Sequence, residues 1–221
     1  LSLSRTRQVI GRRMLESVQT IPSWQCVSAV DMSACMELRQ VFLERRGIKL
    51  SYNDLIAKAV AVAARKYPLV NARYEKDGVR MSRHTSIGLA VASEDALLVP
   101  VVRNVDLLGL EEISVQYQAL IQKAREGRLS PAECNCGSVT ISNLGMYGVE
   151  QFCAIVNPPE SCILAVGGIH TEPVWDGAQF QPVPRMRITG SYDHRLIDGA
   201  YGAQFQQELQ LLLEHPALLL A

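Results

Sequence analysis

The sequence predicts a single α+β domain, and three observations carry that reading. Segments with apolar residues at helical spacing alternate irregularly with short apolar runs of strand character. Hydrophobic residues make up 48% of the 221 positions and charged residues only 20%, so a substantial core can be buried and disorder is disfavoured. No internal repeat, low-complexity tract or Pro/Gly-rich linker divides the chain, so 1–221 reads as one unit.

The elements follow in order. Ser4 can cap a first helix in which Ile10, Met14 and Val18 recur every four residues, joined by Leu15, and Pro22 stops it. Residues 24–31 read as a strand. Ser33 begins a second helix with Leu38, Val41, Phe42 and Arg45 in register, and Gly47 can take the left-handed position that ends it. Ser51-Tyr52-Asn53-Asp54 resembles a capping box with Asp in the usual Glu/Gln place. The helix behind it is rich in alanine (Ala59 and Ala63 beside Leu55, Ile56 and Val60), which suggests close packing under a sheet, and it closes at Tyr67-Pro68.

Residues 70–74 and 79–81 flank Lys76-Asp77-Gly78, a hairpin signal. Two apolar runs, 87–92 and 97–102, read as central strands joined by a short polar turn. A long helix spans about 110–125, with Ile113, Tyr117, Leu120, Ile121 and Ala124 on one face. Ser130-Pro131-Ala132-Glu133 opens a short helix with Pro at its first position. Strands are expected at 138–142, 161–166 and 185–191, and a last helix at 200–213 before His215-Pro216.

Composition narrows the function. Lys+Arg and Asp+Glu are balanced at 22 each, which gives no electrostatic case for nucleic acid or an anionic membrane. No apolar run approaches the ~20 residues of a bilayer span, and residues 1–5 lack the pattern of a secretory signal. The six cysteines read as thiols in a reducing compartment; Cys134-Asn135-Cys136 could be half a metal site, but no second pair has ligand spacing, so no metal is expected. The G-x-S-x-G elbow, the phosphate-binding Gly-rich loops and H-E-x-x-H are all missing.

Four histidines are present. His84 lies in a polar turn, His170 precedes a turn at Thr171-Glu172-Pro173, and His215 sits at a helix end; each reads as structural. His194 is delivered by a strand-like stretch to the mouth of a turn, with Gly199 opening a helix just beyond, and strand ends present side chains to clefts. On pattern alone it is either a solvated turn histidine or a catalytic one. A second cluster, Thr140-Ile141-Ser142-Asn143-Leu144-Gly145-Met146-Tyr147-Gly148, runs a strand into a turn with a hydroxyl, an amide and two glycines. It is either a plain turn or a hydroxyl donor beside developing negative charge.

Asp193-His194-Arg195-Leu196-Ile197-Asp198-Gly199 resembles the D-H-R-x-x-D-G signature of 2-oxo acid dehydrogenase acyltransferases. Ser142-Asn143-Leu144-Gly145-Met146-Tyr147-Gly148, followed by Ile155-Val156-Asn157-Pro158-Pro159, is similar to the family's second block. Arg7 to Met14 resembles its opening helix, Leu98-Val99-Pro100-Val101-Val102-Arg103 its central strand, and 213–220 its C-terminus, so the resemblance spans the chain. Ser93-Glu94-Asp95-Ala96-Leu97 departs from the family turn, which carries a glycine where Ala96 stands.

The resemblance implies a chloramphenicol acetyltransferase-like mixed sheet flanked by helices, assembled as homotrimers that build larger 24- or 60-subunit cores. It implies an active-site channel between subunits, entered by coenzyme A from one end and by a lipoyl arm from the other. His194 would be the general base on the coenzyme A thiol, Ser142 the donor to the tetrahedral oxyanion, and Asp198 the residue that orders the His194 turn, with an opening-helix arginine as its candidate partner. Arg39 matches a family arginine near coenzyme A phosphates; otherwise it is a solvated helix charge.

Residues 143–148 look most like the acetyl-transferring branch, which serves pyruvate and acetoin complexes alike. The implied partners are a lipoyl domain, a 2-oxo acid decarboxylase and dihydrolipoamide dehydrogenase. The implied place is the bacterial cytoplasm or the mitochondrial matrix. Lipoyl and peripheral-subunit-binding domains are expected to lie outside this chain. A non-catalytic core protein of the same complex is the alternative, though such a chain usually loses its histidine. A stand-alone small-molecule acetyltransferase is a second.

Overall fold

Two long strands, β9 (Cys162–Trp175) and β10 (Phe180–Asp193), organise the molecule, pairing antiparallel from Tyr192↔Cys162 to Phe180↔Trp175. The computed structural model describes residues 2–76, 78–92, 97–134 and 137–220. The 93–97 departure and the tip of the Lys76-Asp77-Gly78 turn therefore fall mainly outside the described residues, as does most of Cys134-Asn135-Cys136.

β10 also pairs with β1 (Ser23–Asp31) over all nine residues of that strand. β9 runs parallel to β8 (Val139–Asn143), which runs parallel to β4 (Ile87–Leu89), and β7 (Val101–Val102) closes the edge. The order in this mixed sheet is β1-β10-β9-β8-β4-β7.

Helices α2 (Ser33–Arg46), α3 (Tyr52–Lys66), α4 (Leu110–Arg125) and α5 (Gly199–Glu214) flank the sheet. The main core gathers Leu55, Ile56 and Val60 of α3, Ile113 and Tyr117 of α4, and Phe205 and Leu209 of α5 against Ile87, Ile141, Leu164, Ile188 and Tyr192. Alanines 57, 59, 61 and 63 of α3 are buried, which lets that helix lie close to its neighbours. The local start and stop signals act as expected. Ser51 Oγ accepts from Asp54 N while Asp54 Oδ2 accepts from Ser51 N, and Gly47 ends α2 at φ 68°.

On the sheet's other face, helix α1 (Arg5–Thr20) is held by Ser17 Oγ, which donates to Val156 O at 2.6 Å beside a small cluster of Ile21, Val156 and Ile163. Ser17 is its only buried residue, and Val18 is 64% exposed. The expected apolar row therefore enters no core; Ile10 and Met14 border a cavity instead.

Three expectations are corrected. The runs 87–92 and 97–102 each break in two: past Leu89 the first run leaves β8 and pairs with the second, and Pro100, with no N–H to give, separates the halves of the second. β5 (Val91–Ala92) and β6 (Leu97–Leu98) form their own small ladder, and β7 is an edge strand, not a central one. Residue 70 belongs to a 3₁₀ turn (Pro68–Asn71), so the hairpin is β2 (Ala72–Glu75) with β3 (Gly78–Met81). His170 lies inside β9, opposite Arg185, and not before a turn. Pro173 reads as a breaker in sequence. Here it faces Pro182 in a two-stranded ribbon beyond the sheet, where no third strand needs its N–H. Among the described residues, no helix is long and apolar enough to cross a membrane.

Candidate active site

β10 ends at Asp193 and His194 is the first residue past it, exposed, at the head of a tight turn. The turn is fixed by its first residue. Leu196 N and Ile197 N both donate to Asp193 O, at 3.0 and 2.9 Å, and Asp193 N donates to Ser161 O at 2.9 Å. The Asp193 side chain is buried and its carboxylate is wrapped by Arg195. Arg195 N and Nε reach Oδ1 at 3.0 and 2.9 Å, and Nη2 reaches Oδ2 at 2.7 Å. A charge-assisted fork of this kind satisfies a carboxylate that water no longer reaches. His194 sits between the two partners, so its backbone has little freedom; its own N donates to Pro22 O at 3.0 Å.

Trp24 of β1 braces the turn from below. Its indole Nε1 donates to Ile197 O at 2.7 Å, and its ring centroid lies 6.0 Å from that of His194. Asp198 does what its position allows locally: it is the N-cap of α5, with Oδ1 accepting from Tyr201 N at 2.8 Å. Among the described residues no arginine bonds it, and Arg13 of α1 donates instead to Pro158 O.

Ser142 occupies the far end of β8, half-buried. The turn after it is tied to α3 and to β9. Asn143 Nδ2 donates to Asn53 Oδ1 at 2.8 Å, Asn143 Oδ1 accepts from Gly145 N at 2.9 Å, and Leu144 N donates to Val166 O at 3.0 Å. Gly167 is required for that seating, since a Cβ there would lie 2.0 Å from Glu150 O. Ser142 borders two cavities. One, of about 470 Å³, is lined by Ile10, Arg13, Leu98, Thr140 and Asn157; the other, of about 180 Å³, by Leu97, Ile121, Asn143 and Tyr147.

Arg39 of α2 stacks over the Tyr52 ring at 3.9 Å and gives Nε to Leu50 O at 2.8 Å. It lines a cleft of about 620 Å³ shared with Asn143 and Met146, on the Ser142 side of the molecule. A guanidinium held flat beside an open cleft suits a phosphate-bearing ligand.

His194 and Ser142 are far apart within one chain. Tyr192 is opposite Cys162, which is opposite Val139. From that rung β10 runs two residues one way to His194, and β8 runs three the other way to Ser142. Strand rise and spacing then put their backbones on the order of 20 Å apart. At that separation the two side chains cannot act on one reacting group within a single chain.

Sequence reading missed four residues around these sites: Trp24, Asn53, Tyr74 and Glu160. Tyr74 lies with its ring 4.0 Å from the Arg195 guanidinium. Glu160 is buried behind Ser142, its Oε2 2.6 Å from Thr140 Oγ1 and its Oε1 accepting from Asn157 Nδ2 at 2.9 Å. Burial pushes its carboxyl up to about 7, against those two hydrogen bonds and the nearby Arg73 and Arg13 charges. An acidic residue heading a buried apolar strand was the available signal.

The family described as 2-oxoacid dehydrogenases acyltransferase (catalytic domain) matches residues 1–221. A Rickettsia bellii protein named as the dihydrolipoyllysine-residue acetyltransferase component of pyruvate dehydrogenase complex is 38% identical over 97% of this chain, and the chain spans about half (52%) of that relative. The structure of Azotobacter vinelandii dihydrolipoamide acetyltransferase, studied for a serine, a histidine and an asparagine in its catalytic mechanism, superposes with a TM-score of 0.96. It is 33% identical, over 100% of this chain and 93% of that one. The cubic core of the pyruvate dehydrogenase multienzyme complex superposes equally well, TM-score 0.96 at 32% identity and the same coverage. Chloramphenicol acetyltransferase, at 14% identity and a TM-score of 0.58, shares the fold alone.

Two outcomes are expected from this geometry. Trp24→Phe strands the Ile197 carbonyl and costs about 1–3 kcal/mol, measurable by urea unfolding. The Glu160 carboxyl is raised from its ordinary value of 4.5 to about 7 in the folded chain, so its contribution is present below pH 4.5 and is lost as pH rises through 7. The thermal midpoint should fall across that window by the equivalent of about 3 kcal/mol, and Glu160→Gln should flatten the decline.

Proposed function

The chain belongs to the 2-oxoacid dehydrogenase acyltransferase family, as its catalytic domain, and from that membership we propose that it moves an acetyl group from an S-acetyl-dihydrolipoyl arm to coenzyme A. The observation that carries the reading is the placement of His194, exposed on a rigid turn yet on the order of 20 Å from Ser142 of its own chain. The site is therefore completed between two copies, His194 from one and Ser142 from the next.

A free alkyl thiol has a pKa near ~8.5 and is mostly protonated at neutral pH. The neutral imidazole of His194 takes that proton as the coenzyme A sulfur bonds to the thioester carbonyl carbon. The carbonyl oxygen becomes an oxyanion and accepts a hydrogen bond from Ser142, a contribution of roughly 3 kcal/mol. Collapse breaks the bond to the lipoyl sulfur, which leaves with the proton His194 returns. Asp198 caps the helix that follows, and Arg39 bounds the cleft assigned to the phosphate end of coenzyme A. No metal enters this scheme.

The Azotobacter vinelandii enzyme supports these roles: its serine, histidine and asparagine stand at the mutual spacing of Ser142, His194 and Asp198. This chain has aspartate where that enzyme has asparagine. Similarity to the cubic core supports assembly of homotrimers into a larger hollow core. Names such as that of the Rickettsia bellii relative favour the pyruvate complex over the acetoin one, with a lipoyl domain, a 2-oxo acid decarboxylase and dihydrolipoamide dehydrogenase as working partners.

The test is complementation. His194→Ala should lower kcat about a hundred- to ten-thousandfold with coenzyme A binding nearly intact, and Ser142→Ala about a hundred- to thousandfold. Unfolded together in equal amounts and reassembled, the two inactive variants should regain about a quarter of native turnover, the share of interfaces pairing an intact histidine with an intact serine. A mixture as inactive as its parents would place both groups in one chain or neither in the site.

A further inference from the structure

We infer that Tyr74, on the β2–β3 hairpin, is a positioning residue for His194, acting through Arg195. The inference rests on the proposed role of His194 as base. Arg195 is the neighbour of His194, and its guanidinium has two engagements. One edge forks onto the buried Asp193 carboxylate, and its plane lies 4.0 Å from the centroid of the Tyr74 ring. The Asp193 contact sets where the guanidinium points, and the ring limits how far it can swing out toward water. With both in place, the residues on either side of His194 are locked to each other.

The hairpin that carries Tyr74 is anchored for this task. Tyr74 is paired with Val79 in the ladder, and at the root Asn71 Nδ2 donates to Ser82 O at 3.1 Å. On the residue just before Tyr74, Arg73 Nη2 donates to Gly137 O at 2.9 Å. Ser161 joins the hairpin to the turn directly. Its Oγ is 3.0 Å from both Leu69 O and Val70 O, just before the hairpin, and its own carbonyl accepts from Asp193 N. The ring and the turn are therefore referenced to the same residue.

Tyr74 itself is 41% exposed, and among the described residues its hydroxyl makes no hydrogen bond. The aromatic face, not the hydroxyl, carries the role.

Tyr74→Leu and Tyr74→Phe in the assembled protein separate the possibilities. With Leu, kcat should fall about tenfold at nearly unchanged KM for coenzyme A, since a stacked cation is lost but no substrate contact. Phe keeps the ring and should keep native kcat. Hydrogen exchange of the 193–197 amides, which needs no acyl transfer, should quicken in the Leu variant and stay native in the Phe variant. Native kcat and native exchange in Tyr74→Leu would overturn the proposal, as would a Phe variant as impaired as Leu. If the native protein transferred no acyl group, the function reading would fall, and the exchange comparison would still decide whether Tyr74 holds the turn.

Discussion

The buried carboxylate of Asp193 is the constraint on which the site depends. A carboxylate removed from water is tolerated only when its oxygens are satisfied, and removing one partner of such a pair typically costs about 3–5 kcal/mol. Here the partner is two residues away in sequence. The need to satisfy Asp193 therefore dictates the path of the backbone through His194. The β10 ladder delivers Asp193 to the end of the sheet, Arg195 folds back over it, and Trp24 catches the far end of the turn at Ile197. His194 is exposed without being loose, the combination that the general-base role proposed for it requires.

The sheet then divides the chemistry. β8 and β10 are separated by β9, and Ser142 and His194 lie toward opposite ends of the strands. A rigid sheet cannot bend these ends together, so the distance is a fixed property of the fold and not a matter of loop closure. Ser142 and Arg39 share one side, where the cleft beside Asn143 lies; His194 and Asp198 share the other. On the proposed assignment of Ser142 and His194 to one reaction, each chain presents two half-sites that a second copy would complete.

Much of the framework was legible because its signals are local. Ser4, Ser51 and Gly47 act within a few residues of themselves, and they cap or end helices as their sequence positions suggest. The His194 turn was legible as a strand end followed by a helix start; its organiser was not, because the bonds that fix the turn run to Asp193, while Asp198 caps the helix that follows. What stayed hidden was set by distant partners. Trp24 meets Ile197 across 173 residues, and nothing near either one signals it. The ribbon beyond residue 166 was unreadable because Pro173, Pro182 and Pro184 look like breakers until a two-stranded partner removes the need for their N–H groups. The edge position of β7 likewise depends on which strand pairs with which. A run of valines cannot reveal that.

Strand β8 shows how the second half-site is held. Its odd-numbered residues, Val139 and Ile141, enter the main core, while Thr140 and Ser142 face the other way and border the same cavity. Thr140 is committed, through its hydroxyl, to the buried Glu160 at 2.6 Å. Glu160 in turn is held by Asn157, in the segment that also supplies Val156 to Ser17 of α1. The polar groups beneath Ser142 thus satisfy one another and leave the serine at the cavity rim. The oxyanion role proposed for Ser142 calls for a donor that is not spent on the protein, and a buried donor left idle is costly. Placing Ser142 half-buried at a strand end, one alternation beyond a fully committed threonine, meets both conditions at once.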